Sequence, residues 1–261
     1  MVNSVFGSGS GLSLALGFCL GFMAQASLNA ATGDPAAGVR KAFHDAQMRY
    51  EKEPRNNEAV WQFARACFDL ADRATNNAQR IEIAERGIAA CKQLLSRDSN
   101  SAPGHYYLGM NLGQVAQTRG LGALKLVTEM EREFSAARDL DSSFDYAGPD
   151  RNLGLLYRDA PTIVSIGSRT RAKKHLQRAV ELAPNYPENR LNLIEAYLKW
   201  NERNAAHNEL KALEELLPRA RASFAGKAWE ASWADWEERL RKIRKKIEEP
   251  AKTIPSPRQK D

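Results

Sequence analysis

Residues 187–220 read PENRLNLIEAYLKWNERNAAHNELKALEELLPRA. Leu193 and Tyr197 lie one helical turn apart, as do Ala206 and Leu210. Asn201-Glu202 breaks the run between these pairs, and Pro187 and Pro218 bracket the whole. The spacing predicts two helices folded into a hairpin. Small Ala206 allows the two helices to approach, while Tyr197 fills the gap toward a neighbour. A lone hairpin of this kind cannot bury its apolar face, so it predicts further hairpins stacked against it.

The same arrangement recurs upstream. Leu153-Gly154, Tyr157, Ala172, Leu176, Ala179 and Pro184 mark the preceding unit, which exits through Glu181–Glu188. Leu108-Gly109, Leu112, Phe134 and Ala137 mark the one before it, and Trp61, Ala64, Phe68, Ala84, Ile88 and Cys91 the first. Pro54, Pro103, Pro149, Pro184, Pro187 and Pro218 all fall at expected junctions or first turns, where a missing N–H does no harm. No alternating run of β type appears. On these residues the stretch 57–220 resembles the tetratricopeptide repeat (TPR) family. The resemblance implies an all-α, TPR-like right-handed α-solenoid of about four helical hairpins. The expected organisation is an apolar leader or anchor at 1–30, a leading helix and linker at 31–56, and the repeats at 57–220. A C-terminal capping helix at 221–249 and a disordered basic tail at 250–261 complete it.

Three units are longer than the family norm between their two helices. The first extension, Asp69–Gln79, is accounted for by longer helices. Arg119–Met130 (RGLGALKLVTEM) and Asp159–Arg169 (DAPTIVSIGSR) are instead apolar and broken by glycine or proline. Hairpin turns in a stacked array emerge along one edge. Leu121, Leu124, Ile163, Val164 and Ile166 are therefore expected either to form an apolar rim for a partner or to pack together and close that edge. Lengthened hairpins of this kind, between His105 and Pro187, resemble the T component of TRAP transporters and the regulator-of-microtubule-dynamics repeat proteins. That resemblance implies a protein partner, such as a solute-binding protein, and no particular substrate.

The first helix of each unit lines the concave face of such an array. Asn152 precedes Leu153-Gly154 as Asn192 precedes Leu193, and a carboxamide can donate to and accept from an extended peptide at once. Arg151 and Arg158 are expected to meet a carboxylate. Tyr106, Met110, Leu155 and Glu195 are expected on the same face.

The ends read differently. Residues 1–33 carry no charged side chain, and Leu12–Ala24 is a short apolar run followed by Ala24-Gln25-Ala26 and Leu28-Asn29-Ala30. A spanning helix needs about 20 apolar residues, so cleavage and export to the periplasm or outside are expected, with an uncleaved anchor as the alternative. Cys67 and Cys91 would sit too far apart along one hairpin to bridge. Trp229, Trp233, Trp236, Leu240, Ile243 and Ile247 draw one stripe along a last helix, expected to cap its neighbour. The net charge of +6 arises wholly within residues 239–261 and is no argument for nucleic-acid binding.

No metal-ligand spacing, phosphate loop or nucleophile elbow is present, and the four histidines stand apart. No enzyme activity, cofactor or metal is expected. The expected function is that of a scaffold for a protein or peptide partner. An accessory subunit of solute transport is the alternative, and self-association or peripheral membrane contact through the basic tail stays open.

Overall fold

The computed structural model describes residues 35–249. The expected leader with its cleavage sites, the first residues of the linker and the basic tail lie outside them. Among the described residues there are ten α-helices and no strand. α1 (Pro35–Lys52) leads. Four hairpins follow: α2 (Asn57–Asp72) with α3 (Asn77–Arg97), α4 (Ala102–Ala116) with α5 (Leu124–Leu140), α6 (Phe144–Asp159) with α7 (Arg169–Leu182), and α8 (Pro187–Lys199) with α9 (Arg203–Ser223). α10 (Glu230–Glu248) closes the chain. Each helix packs against its hairpin partner, the second helix of a unit packs against the first helix of the next, and α2, α4, α6 and α8 touch in succession. The result is a TPR-type solenoid.

Local chemistry starts the helices. The Asn56 carboxamide oxygen accepts from the N–H groups of Glu58 and Ala59, and the Ser101 and Ser168 hydroxyls accept from those of Gly104 and Arg171. Pro187 occupies the first turn of α8. Close approach fixes two glycines: a Cβ on Gly109 would come within 2.6 Å of the Phe134 ring, and one on Gly154 within 2.7 Å of Leu176. Cys67 and Cys91 are buried free thiols, and burial pushes Cys67 up to about 12.

A close side-chain pair clasps three hairpins at one repeat position. His105 Nδ1 meets Glu133 at 2.6 Å, His175 Nδ1 meets Asp150 at 2.7 Å, and Arg190 meets Glu209. His105, Asp150 and Arg190 lie four residues before Gly109, Gly154 and Ile194, the equivalent places on α4, α6 and α8. Buried Val60 has that place on α2. The two histidines are thus absorbed in architecture.

One expectation needs correction. Pro218 lies inside α9, which runs on to Ser223. It is exposed, so the carbonyl that loses its partner N–H remains open to water. α6 also begins irregularly: Asp145, Tyr146 and Ala147 are left-handed, with φ of 50°, 56° and 62°. Such residues cost about 1–2 kcal/mol each. Pro149 then starts the right-handed helix. The strained turn is held by Arg151, whose guanidinium donates to the carbonyls of Asp145 and Tyr146, and by Asn189, which donates to that of Tyr146.

A candidate partner groove

The first helices of the units, with α1 at one end and α10 at the other, enclose a concave groove of about 750 Å³. Tyr106, Tyr107 and Met110 of α4 contribute to its floor, with Asp145 and Arg151 of α6 beside them. Tyr106 is buried and sits at the centre of a polar network. Its hydroxyl donates to Asp145 at 2.6 Å and accepts from Asn152 at 3.0 Å and Arg151 at 3.3 Å. Loss of water and the Asp145 charge push the Tyr106 phenol well above its ordinary range, so it stays a donor. Arg151 also bonds Asp145 at 2.6 Å and Asn189 at 3.2 Å, which commits the guanidinium to the protein itself.

Asn152 is buried, and its amide donates to Tyr106 and to the Met110 sulfur. Its carbonyl oxygen has no partner. Asn152 lines a small slot of about 20 Å³ that shares Phe68 and Met110 with the groove. That volume suits one water or one small ligand group.

Asn192, at the equivalent place one unit on, is engaged. Its carbonyl oxygen accepts from Arg239 of α10 at 2.6 Å. The same guanidinium donates to Glu188 at 2.7 Å and to Glu195 at 2.8 and 3.0 Å. Trp236 Nε1 donates to Glu188 at 2.8 Å. Burial works against the Glu188 charge, but Arg239 and Arg151 outweigh it and hold the carboxyl below its usual range. Asp235 sits beside this cluster, and burial pushes it up to about 6 despite Arg239. In the open part of the groove, crowding by the walls and then Asp72 and Asp145 raise Asp69 to about 6, against the pull of Arg65.

The placements of the other expected residues follow. Leu155 does not line the groove: it lies in the core with Leu176, Leu191 and Leu193, at the edge of the face that Asn152 occupies. Arg158 does not join Arg151. Two turns further along α6, it pairs with Asp159 at 2.7 Å near the hairpin turn. Asn192 and Glu195 face the groove side of α8 but are covered by α10. Along the edge, the first insert turns inward through Ala123, Val127 and Met130, and Leu124 is half-buried. The Leu121 side chain lies outside the described residues. Ile166 packs against the core, whereas Ile163 is 95% and Val164 58% exposed. Among the described side chains the two inserts do not join into one apolar rim.

Sequence reasoning missed Arg239, which it counted with the solvated basic end. Its side chain is only 12% exposed. The available signal was its place three residues after Trp236, at the margin of the apolar stripe, where a long side chain reaches inward. It also missed Asp145 and Asp235, since neither belongs to a repeat position.

Similarity to known proteins agrees with this architecture. The family model for regulator of microtubule dynamics protein 1-3 matches residues 32–141, from the leading helix to the end of α5. That match overlaps the stretch from which the resemblance was read only over 105–141. No curated protein matches the sequence. Among solved structures, the chain is similar to TTC0263, a thermophilic TPR protein of Thermus thermophilus, at 18% identity and a TM-score of 0.57. That match covers 76% of this chain and 92% of the other. MamA aligns at 16% identity and a TM-score of 0.47, over 72% of this chain and 98% of the other. Across its described residues the chain has the fold of a TPR protein.

Proposed function

We propose that this chain is a non-enzymatic scaffold that takes a segment of a protein partner into the groove between α1 and α10. The observation that carries the reading is the unpaired, buried Asn152 carbonyl beside the groove floor. A buried acceptor without a donor costs about 1–3 kcal/mol, and an incoming N–H removes that cost. The partner segment is short, since α10 already covers the groove side of α8. Arg151 and Tyr106 hold the floor rigid, so binding does not first have to order it.

A photo-crosslinking residue at Asp69 in the groove, set against one at exposed Glu215 on α9, tests this in intact cells. A partner adduct from position 69 that is absent from 215 and weakened by Asn152→Leu is expected. Equal adducts from both positions, or none from 69, would sink the reading. The groove volume also lies within the range of small-molecule sites, which supports the transport-accessory alternative. That alternative predicts ligand-dependent thermal stabilisation in the absence of any protein partner. The apolar leader supports export, and the mass of the mature chain tests cleavage near Ala26 or Ala30.

A further inference from the structure

The loop between α6 and α7 holds an apolar pair in solvent. Ile163 is 95% and Val164 58% exposed. The loop is pinned at its base. Gly167 N–H donates to the Pro161 carbonyl at 3.2 Å and Ser168 N–H to that of Tyr157 at 2.9 Å. Arg171 donates to the Ile166 carbonyl at 3.0 Å, and Ile166 is anchored on the core. A Cβ on Gly167 would come within 2.0 Å of the Ala160 carbonyl oxygen, so only glycine permits this closure. The tip is therefore presented by a built base.

Cations surround that base. Lys199 reaches the Arg158 carbonyl and Asp159, and its side chain is 51% exposed. Arg169 is 55% and Arg171 47% exposed. Lys173 and Lys174 continue the cationic strip along α7. Glu131, Asp159 and Glu202 answer part of this charge, and the cations remain in excess.

From this arrangement we infer that the α6–α7 tip is a contact for an anionic lipid surface, with Ile163 and Val164 entering the headgroup–acyl boundary and Lys199, Arg169 and Arg171 meeting the headgroups. Two apolar side chains are far less than the area of a stable protein interface, about 1,600 Å² in total. A lipid surface needs no such area, because it deforms around a tip and adds about fivefold in affinity for each cation brought near it. The inference is independent of the groove and assigns the exposed tip to lipid in place of a partner rim.

The test is flotation of the full chain with vesicles of phosphatidylcholine alone or with phosphatidylglycerol, alongside Ile163→Asp/Val164→Asp and Ile163→Trp variants. Binding owed to residues 12–24 would appear equally in every variant. The expected result is salt-sensitive binding to the anionic vesicles, reduced about tenfold or more by the double aspartate change at unchanged helical content. The added tryptophan should shift to the blue and be quenched by brominated acyl chains only on those vesicles. Lys199→Gln should lower binding about fivefold. An unshifted tryptophan, or binding indifferent to the double change, would overturn the inference. So would self-association lost in the double variant without vesicle binding, since a second copy would then cover the tip.

Discussion

Asn152 and Asn192 occupy the same position in adjacent repeats, face the same side of the array, and meet opposite fates. The carbonyl of Asn192 accepts from Arg239, whereas that of Asn152 is buried and unpaired. The repeat made the two positions alike, and one helix from outside the repeat made them different. α10 is anchored on α8 by buried Trp233, Trp236, Leu240 and Ile243, each worth about 1.5–3 kcal/mol on full burial, so it is a permanent wall of the groove. An equivalent position in a solenoid can serve a partner only where no terminal element has claimed it.

The contrast breaks most sharply at Arg239. Arg239→Leu leaves Glu188 and Glu195 facing each other without their cation and should destabilise the fold by about 3–5 kcal/mol in chemical denaturation. A loss below about 1 kcal/mol would mean that α10 does not depend on this pairing. Next in size is Asp235. Its folded-state pKa of about 6 lies above the unfolded value, so the folded chain binds the proton more tightly. Stability should then fall as pH rises from about 4 to 6. Asp235→Asn should flatten that slope and raise stability at pH 7. Glu188 acts in the opposite sense: its lowered pKa means that its contribution disappears only on acidification below the ordinary carboxylate range.

The asparagines themselves give a smaller and more pointed comparison. Asn192→Leu removes an acceptor from a charged donor and should cost about 2 kcal/mol. Asn152→Leu deletes an unsatisfied carbonyl along with two modest donations, and stability should change by less than about 1 kcal/mol while groove crosslinking drops. Equal costs at both sites would contradict the assignment of one as structural and the other as free. An effect of similar small size is expected at the tight α8–α9 turn. There Asn201 is left-handed at φ 60°, and Asn201→Ala should cost about 1 kcal/mol in thermal unfolding.

Much of the fold was legible because hairpin stacking leaves a local trace. Small residues must recur where helices cross, large ones where units meet, and caps where helices start. Leu153-Gly154 and Tyr157 therefore announced their roles, whereas Ser168, which caps α7, was not picked out. The candidate site was legible in part. Asn152, Arg151 and Tyr106 do come together, but spacing could not distinguish Arg151, turned into the groove, from Arg158, paired two turns away. Nor could it reveal the left-handed turn at Asp145–Ala147, which Arg151 and Asn189 hold from positions outside that turn.

The sequence by itself determined the helices and their pairing into four hairpins. Those properties depend on contacts within a few turns of chain or between neighbours in order. Only the tertiary structure decided which polar positions stayed free. α10 brings Arg239 against Asn192 across 47 residues, and the first insert folds inward while the second stands out. Such outcomes depend on where a terminal helix or a loop finds unburied apolar surface, and that surface exists only once the array has formed.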